Sequence, residues 1–195
     1  MSKSGLLKAG LLVVVTAPSG SGKTTIYKRV LEKNPDLSFS VSYTTRKRRA
    51  SEVQGIDYYF IDRRRFESMI ERTDFVEWAV VHGELYGTER IQIERCLDEN
   101  RVCILDVDVQ GAINIIKDYP DAVTIFIQPP SLEELEERLR RRGTENEEEI
   151  RLRLMDAKNE LEYKRRFKYI VVNRIAEDAI EEVEDIIERE KMTRT

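Results

Sequence analysis

Residues 11–30 constrain the fold more than any other part of the chain. An apolar run at 11–15 ends in the loop 17–24, whose sequence is APSGSGKT, and a helix-compatible segment follows. A strand, a glycine-rich loop and a helix in this order are the context that a phosphate-binding P-loop requires. Glycines let backbone N–H groups approach phosphate oxygens, and the helix N-terminus adds partial positive charge. The segment therefore predicts a nucleoside triphosphate site.

The side chains of this loop have distinct predicted roles. Lys23 would reach the β- and γ-phosphates, and the Thr24 hydroxyl would coordinate Mg²⁺. Ala17 stands where the usual pattern has its first glycine, a mild departure because backbone N–H groups do the binding. The alternative is a glycine- and serine-rich turn with a solvated lysine. The predicted triphosphate-binding residues of the loop are Ala17, Pro18, Ser19, Gly20, Ser21, Gly22, Lys23, Thr24 and Thr25.

Composition narrows the class of protein. A chain of 195 residues is long enough for one domain with a core. Its net charge of −4 gives no global basic field for nucleic acid, and no stretch approaches the length of a membrane span. Residues 1–10 lack the apolar core of a signal peptide, and Cys96 and Cys103 form no metal-ligand pattern. We therefore expect a cytoplasmic protein with reduced thiols and no nucleic-acid or membrane partner.

Buried parallel strands are predicted from four apolar runs, at 11–15, 102–107, 122–127 and 169–172. Near-continuous Val, Ile and Leu is typical of strands covered by helices on both faces. Helical patterns lie between the runs, and a terminal helix is predicted at 176–191. This alternation predicts an α/β fold with a doubly wound parallel sheet.

Two other regions differ from this core. Residues 38–86 have short strand patterns around Val41, at 58–61 and at 75–81, with a helix at 63–71 capped by Asp62. These patterns predict a small β-rich subdomain inserted into the core. The arginine-rich stretch 138–153 predicts a helical hairpin that moves as a lid. Capping boxes are predicted at 131–134 and 144–147, each starting a charged helix.

Phosphate- and metal-binding chemistry is indicated outside the P-loop as well. Arg46 and Arg49 lie three apart, and with Tyr58 they can grip a phosphate through forked charged donors and a hydroxyl. A solvated basic loop is the alternative. Asp106 ends an apolar strand and Asp108 lies two positions beyond it, at the carboxyl end where an open sheet commonly has its site. The single histidine, His82, is assigned no role.

The motifs together resemble those of guanylate kinases. The resemblance runs from about residue 13 to 173 and includes APSGSGKT, SVSYTTRKRR, GIDYYF, Glu77-Trp78, a turn at 85–88, ILDVDVQG and RLRRRGTE. It implies a P-loop kinase fold and transfer of a phosphoryl group from ATP to GMP, with Mg²⁺ as cofactor. It divides the chain into a core (1–38, 89–137 and 164–195), a GMP-binding subdomain (39–88) and a lid (138–163).

Matching residue by residue, the resemblance implies two halves of a GMP site. The residues holding the GMP phosphate would be Arg46, Arg49, Tyr58 and Tyr86. The residues reading guanine would be Ser42, Glu77, Thr88 and Asp108. Guanine presents N1–H and an amino group as donors, which carboxylates can accept, whereas adenine offers a bare N1 acceptor. Family members commonly have proline and glycine where this chain has Arg48, Ala50 and Ser51, so Arg48 competes with Arg49, which the spacing favours.

The resemblance also implies the catalytic set. Lys23 and the lid arginines Arg138, Arg142 and Arg153 would surround the transferring phosphoryl group. Asp106 would orient Mg²⁺ through water, and Asn173 would contact adenine.

Two alternatives remain. One is a kinase of the same fold for another phosphorylated acceptor, which should lack the Glu77 and Asp108 pair. The other is a non-catalytic guanylate-kinase-like module that binds protein partners, whose nucleotide loops are typically degraded. The presence of Lys23, Thr24 and Asp106 favours the enzyme.

Overall fold

A computed structural model describes residues 10–81, 83–143 and 145–194. The strands are β1 (Leu11–Thr16), β2 (Ser38–Ser40), β3 (Tyr43–Thr44), β4 (Tyr59–Phe60), β5 (Phe75–Val81), β6 (Glu84–Glu89), β7 (Val102–Asp106), β8 (Val123–Gln128) and β9 (Tyr169–Val172). The helices are α1 (Lys23–Lys33), α2 (Arg63–Glu71), α3 (Arg90–Asp98), α4 (Val109–Asp118), α5 (Leu132–Arg142), α6 (Glu147–Glu162) and α7 (Ala176–Met192), with a short 3₁₀ helix at Tyr163–Arg166.

The core is a parallel sheet whose described strands follow the order β2-β7-β1-β8-β9. Its central strand β1 is buried on both faces. Odd-numbered residues such as Val13 pack in a cluster with α1 and α7, and even-numbered ones such as Val14 pack in a cluster with α3 and α4. The register pairs Val15 with Asp106, so the loop after β1 and the end of β7 lie at the same edge. The fold therefore brings the P-loop beside the predicted carboxylates.

The predicted core strands and helices are found with small shifts at their ends. Helix α2 has the predicted bounds, and the Asp62 carboxylate accepts a hydrogen bond of 2.8 Å from the Arg65 backbone N–H. Strand β2 was not among the four predicted core strands. It is a three-residue edge strand, Ser38–Ser40. It begins and ends with serine, so the sequence has no apolar run there to predict a strand.

A second, smaller sheet has the strand order β4-β3-β6-β5 and its own cluster of buried residues, including Phe66 and Phe75. The strand predicted around Val41 is wrong, because Val41 lies between β2 and β3, and the Gln92 side chain bonds both its N–H and its carbonyl oxygen. The turn predicted at 85–88 is also wrong, since these residues lie in β6. Position 87 is a glycine because the strand packs closely there: a Cβ would lie 2.9 Å from the Phe66 ring.

The region predicted as a lid, 138–163, contains the end of α5, the whole of α6 and, after α5, Gly143, which has a φ of +64°. Ser131 caps α5 by accepting a hydrogen bond from the Glu134 N–H, which is one of the two hydrogen bonds of the predicted capping box. The capping box of α6 lies two residues beyond the predicted one, because the Asn146 side chain accepts from the N–H of Glu149, and Glu149 accepts from that of Asn146. The predicted cap at position 144, like position 82, lies outside the described residues. Over the described ranges, no helix has the length and apolar character needed to cross a membrane.

Candidate active site

The loop between β1 and α1 has the backbone of a P-loop. Gly20 and Gly22 have φ angles of +89° and +88°, a left-handed conformation that favours glycine. Gly22 is the N-cap of α1, so the first N–H groups of the helix are directed into the loop. Ala17 is 6% exposed and belongs to the core cluster around β1. Alanine is therefore accommodated at this position because its methyl group packs into the core.

Asn173 supports this loop from behind. Its side chain is buried, and Nδ2 donates a hydrogen bond of 2.7 Å to the Ser21 carbonyl oxygen. A Cβ at Gly22 would lie 2.4 Å from this nitrogen, so the loop and the amide pack tightly. The Asn173 backbone carbonyl accepts a hydrogen bond of 2.9 Å from Arg138 of α5. The amide that was predicted to contact adenine is thus bound to the P-loop backbone.

Lys23 crosses from the P-loop to the end of β7. Its ammonium group donates to the Val107 carbonyl oxygen at 2.7 Å and forms an ion pair with the Asp106 carboxylate. Thr24 lies in the first turn of α1, next to this pair. Mg²⁺ takes few protein oxygens and completes its shell with water and phosphates. A hydroxyl and a carboxylate that already binds a cationic group fit that requirement.

A cleft of about 740 Å³ lies in front of the P-loop and reaches the smaller sheet. The whole predicted triphosphate loop, residues 17–25, lines it. The other predicted site residues that line it are Ser42, Tyr58, Glu77, Tyr86, Asp106, Asp108, Arg142 and Arg153. Those not among its lining residues are Arg46, Arg49, Thr88, Arg138 and Asn173. Arg138 and Arg142 line a smaller adjoining pocket beside Gly20 and Gly22.

Three of the predicted guanine-reading residues form one connected group. The register of β5 and β6 pairs Glu77 with Thr88, and the buried Thr88 hydroxyl donates to Glu77 Oε1 at 2.7 Å. The Ser42 hydroxyl lies 3.5 Å from that of Thr88. The pKa of Glu77 is raised to about 7, because burial and the negative charge of Asp108 together outweigh the opposing effect of the Thr88 hydrogen bonds. This carboxylate therefore lacks enough donors within the described protein to stabilise its charge.

Asp108, the fourth residue, comes close to Glu77 because of a glycine that the sequence analysis did not single out. Asp108 caps α4 by accepting a hydrogen bond of 2.6 Å from the Gly111 N–H. A Cβ at Gly111 would lie 2.8 Å from Glu77 Oε2 and 3.2 Å from Asp108 Oδ1. Gly111 therefore leaves the space in which both carboxylates approach. Its signal in the sequence was the final glycine of ILDVDVQG.

The predicted phosphate-holding residues gather around Tyr86, two positions before Thr88 on β6. Arg46 Nε donates to the Tyr86 hydroxyl at 3.1 Å, and the Arg46 guanidinium lies 5.6 Å from the centre of the Tyr58 ring. The Tyr58 and Tyr86 rings are 5.9 Å apart. Arg49 differs, because its side chain is exposed and its guanidinium has no hydrogen-bond or ion-pair partner among the described residues. The structure thus brings three of these four side chains together.

Residues of α6 close the third side of the cleft. Arg153 donates to the Ser19 hydroxyl of the P-loop at 2.7 Å. Glu160, which the sequence analysis missed, lines the cleft with a buried Oε2 that has no hydrogen-bond partner within the described part of the chain. Burial raises the pKa of Glu160 to about 7, and the negative charge of Asp108 adds to this effect. Nothing in the charged sequence of α6 distinguishes Glu160 from its acidic neighbours.

These features define a class of protein. A P-loop on a parallel sheet, a group of arginine and tyrosine side chains on an inserted sheet and an arginine-bearing helical pair over one cleft are the parts of a P-loop nucleoside monophosphate kinase.

Comparisons with known proteins narrow this class to one family. The guanylate kinase family model matches residues 9–190. Guanylate kinase of Thermotoga maritima is 48% identical over 187 residues, covering 95% of this chain and 90% of that protein. Guanylate kinase of Myxococcus xanthus is 44% identical, covering 100% of this chain and 93% of that protein. The crystal structure of guanylate kinase from Anaplasma phagocytophilum superposes with a TM-score of 0.78 at 32% identity, covering 96% of this chain and 90% of that one. The chain belongs to the guanylate kinase family.

Proposed function

We propose that this chain transfers the γ-phosphoryl group of ATP to GMP, giving ADP and GDP. The observation that carries the proposal is the arrangement of one cleft, in which a P-loop faces a pair of carboxylates, Glu77 and Asp108. The names of its curated relatives support the same activity.

Guanine recognition follows from the chemistry of this pair. Guanine offers N1–H and an amino group as neighbouring donors, and Glu77 and Asp108 have acceptor oxygens for both. Ser42 and Thr88 supply hydroxyls beside them. Adenine would set a bare acceptor against a carboxylate, and mismatches of this kind give discrimination of roughly 10⁴.

The GMP phosphate would be held by Arg46 and the hydroxyls of Tyr58 and Tyr86. Arg49 would complete this group, since its guanidinium is exposed, whereas Arg48 donates to the Glu52 carbonyl oxygen at 2.6 Å. A GMP phosphate oxygen is anionic near neutral pH and needs no general base. The residues therefore contribute by positioning and by neutralising charge.

The triphosphate would lie on residues 17–25, with Lys23 leaving Asp106 to bind the β- and γ-phosphates. Thr24 and, through water, Asp106 would hold Mg²⁺, which neutralises charge on the phosphates when bound. Arg138, Arg142 and Arg153 would surround the transferring group as α5 and α6 close and exclude water. Asn173 would keep the P-loop in place next to the adenine side of the site.

We further infer that residues 42–88 and the lid at 138–153 move toward the core when ligands bind, because they carry groups that must converge on one phosphoryl group. Cytoplasmic nucleotide metabolism is the setting that these small-molecule substrates imply.

Acceptor specificity tests the proposal. A coupled assay with ATP should give much faster turnover of GMP than of AMP, CMP or UMP, and Glu77→Gln should weaken the use of GMP. The matched variant Glu84→Gln removes a carboxylate on the neighbouring strand β6 and should leave acceptor choice unchanged. Equal turnover of AMP and GMP by the wild type would favour a kinase for another acceptor. No turnover, with nucleotides bound, would favour a binding module.

A further inference from the structure

Glu52 occupies a specific place beside the phosphate-holding Arg46. Its two carboxylate oxygens accept hydrogen bonds from Arg46 Nη1 at 3.1 Å and Nη2 at 2.7 Å. The oxygen that binds Nη1 also accepts from the Arg49 backbone N–H at 2.8 Å. Both side chains of the ion pair are mostly buried, with 18% of Arg46 and 14% of Glu52 exposed. A bidentate pair in such a setting holds its geometry better than a solvated surface pair.

The donor pattern of Arg46 shows which edge of the guanidinium Glu52 holds. A guanidinium has five N–H donors in one plane. In Arg46, Nη1 also donates to the Lys47 carbonyl oxygen at 2.8 Å, and Nε donates to the Tyr86 hydroxyl at 3.1 Å. Within the described residues this leaves one N–H, on Nη2, along the same edge as Nε. Glu52 thus binds the far edge, and the Nε edge faces the tyrosine that shares the cleft.

The charges around this pair have a second consequence. Arg46 begins the run Arg46-Lys47-Arg48-Arg49, whose members repel one another. The hydrogen bonds from Arg46 lower the pKa of Glu52 below its ordinary value, and the Arg49 backbone bond adds to this effect. Glu52 therefore stays ionised near neutral pH and offsets part of the repulsion that would turn Arg46 outward.

We propose that Glu52 is a positioning residue for the acceptor phosphate: it fixes the guanidinium of Arg46 so that the Nε edge, with the Tyr86 hydroxyl, receives the phosphate. The inference rests on the proposed function of the same site. A different role, in which Glu52 is an internal anion that the phosphate must displace, predicts the opposite sign, because removing the carboxylate would then tighten GMP binding.

Binding measurements separate these roles. We would titrate wild type, Glu52→Gln, Glu52→Asp and the matched control Glu84→Gln with GMP and, separately, with guanosine. Glu84 accepts from the Thr45 hydroxyl at 2.6 Å, and the hydrogen-bond partners of the Arg46 side chain within the described residues are Tyr86, Lys47 and Glu52. Glu52→Gln should raise the Kd for GMP about 10-fold to 100-fold, since one charged hydrogen-bonded pair contributes on that order. Guanosine affinity should change less than about twofold, and Glu52→Asp should recover part of the loss.

A double-mutant cycle then tests whether Glu52 acts through Arg46. In an Arg46→Ala background, Glu52→Gln should have little further effect on the Kd for GMP. In steady-state assays the single variant should raise KM for GMP while leaving KM for ATP unchanged.

Unchanged or tighter GMP binding by Glu52→Gln would overturn the inference. So would an equal loss for guanosine, or a loss that persists in full without Arg46. If the wild type binds GMP and the variants give one of these results, only the role of Glu52 is contradicted. A wild-type chain that does not bind GMP contradicts the proposed function as well.

Discussion

The P-loop and the inserted sheet present their proposed anion-binding groups by different means. The P-loop uses backbone N–H groups, and its two left-handed glycines and a helix N-terminus lie within a few consecutive residues. The inserted sheet uses side chains, with Arg46, Tyr58 and Tyr86 brought together from three separate segments. A backbone site is encoded locally, whereas a side-chain site depends on the packing of the subdomain. The two sites should therefore respond differently to substitution.

The largest expected effect on activity is at Lys23, the P-loop side chain whose positive charge the backbone N–H groups cannot replace. Lys23→Ala should lower kcat about 10²-fold to 10³-fold, the scale measured when one charge-stabilising donor is removed. The fold should persist, because the loop backbone does not depend on this ammonium group. Circular dichroism would establish folding, and the coupled assay would measure turnover. A folded variant with near-normal turnover would contradict the role of the P-loop.

The second effect is expected at Gly111, which leaves the space in which the two proposed guanine-reading carboxylates approach each other. Gly111→Ala should displace Glu77, because the added methyl group would overlap its carboxylate, and should lower GMP affinity roughly 10-fold to 100-fold. ATP affinity should be retained, since the added methyl group lies away from the P-loop. Gln110→Ala, one position earlier on the same helix and exposed, is the control. Equal losses for GMP and ATP would indicate general damage to the core.

The third effect concerns pH. The pKa of Glu77 is raised to about 7, so the free protein is largely protonated there at pH 6 and ionised at pH 8. Because guanine donors require the ionised form, guanosine affinity should rise about tenfold between these pH values. Guanosine is the suitable probe, since it has no titrating phosphate. Glu77→Gln should remove this dependence, whereas a flat wild-type profile would rule out a proton-linked Glu77.

The corresponding effect on stability has the opposite direction. A carboxylate whose folded pKa lies above its unfolded value destabilises the protein once it is ionised. The contribution of Glu77 to the free energy of unfolding should therefore fall as pH rises from about 4.5 to 7. Chemical denaturation of wild type and Glu77→Gln across this range would measure the difference.

The smallest expected effect on activity is at Asn173. Asn173→Ala would remove the hydrogen bond to the Ser21 carbonyl oxygen and leave a gap behind Gly22. We expect about 1–3 kcal/mol of lost stability and a change of only a few-fold in KM. If Asn173 supports the loop, KM should rise equally for ATP and GTP as donors. A change confined to ATP would instead support a direct contact with adenine.

The sequence predicted the locally determined elements better than those that depend on tertiary packing. The P-loop, the strand that precedes it and helix α2 were predictable because neighbouring residues determine them, through an apolar run, glycines and the Asp62 cap. Strand β6 was not predictable, because a glycine at position 87 suggests a turn. The reason for this glycine is its close packing against Phe66, which depends on the tertiary structure.

The candidate site shows the same limit. The hydrogen bond between Asn173 and Ser21 joins residues 152 positions apart, so no local sequence pattern predicts it. Glu160 lies among other acidic residues of α6, and Glu52 follows four basic residues, any of which could be its partner. Their surroundings, a buried cleft in one case and a bidentate guanidinium in the other, exist only in the folded chain.

The central claim is that the two anion sites belong to one cleft and act on one phosphoryl group. A bisubstrate compound, adenosine joined to guanosine through five phosphates, tests it directly by calorimetric titration. We predict binding at one compound per chain, about 10²-fold or more tighter than either nucleotide alone, with loss of both ATP and GMP binding. Binding of two compounds per chain, or competition with only one of the nucleotides, would contradict a single shared cleft.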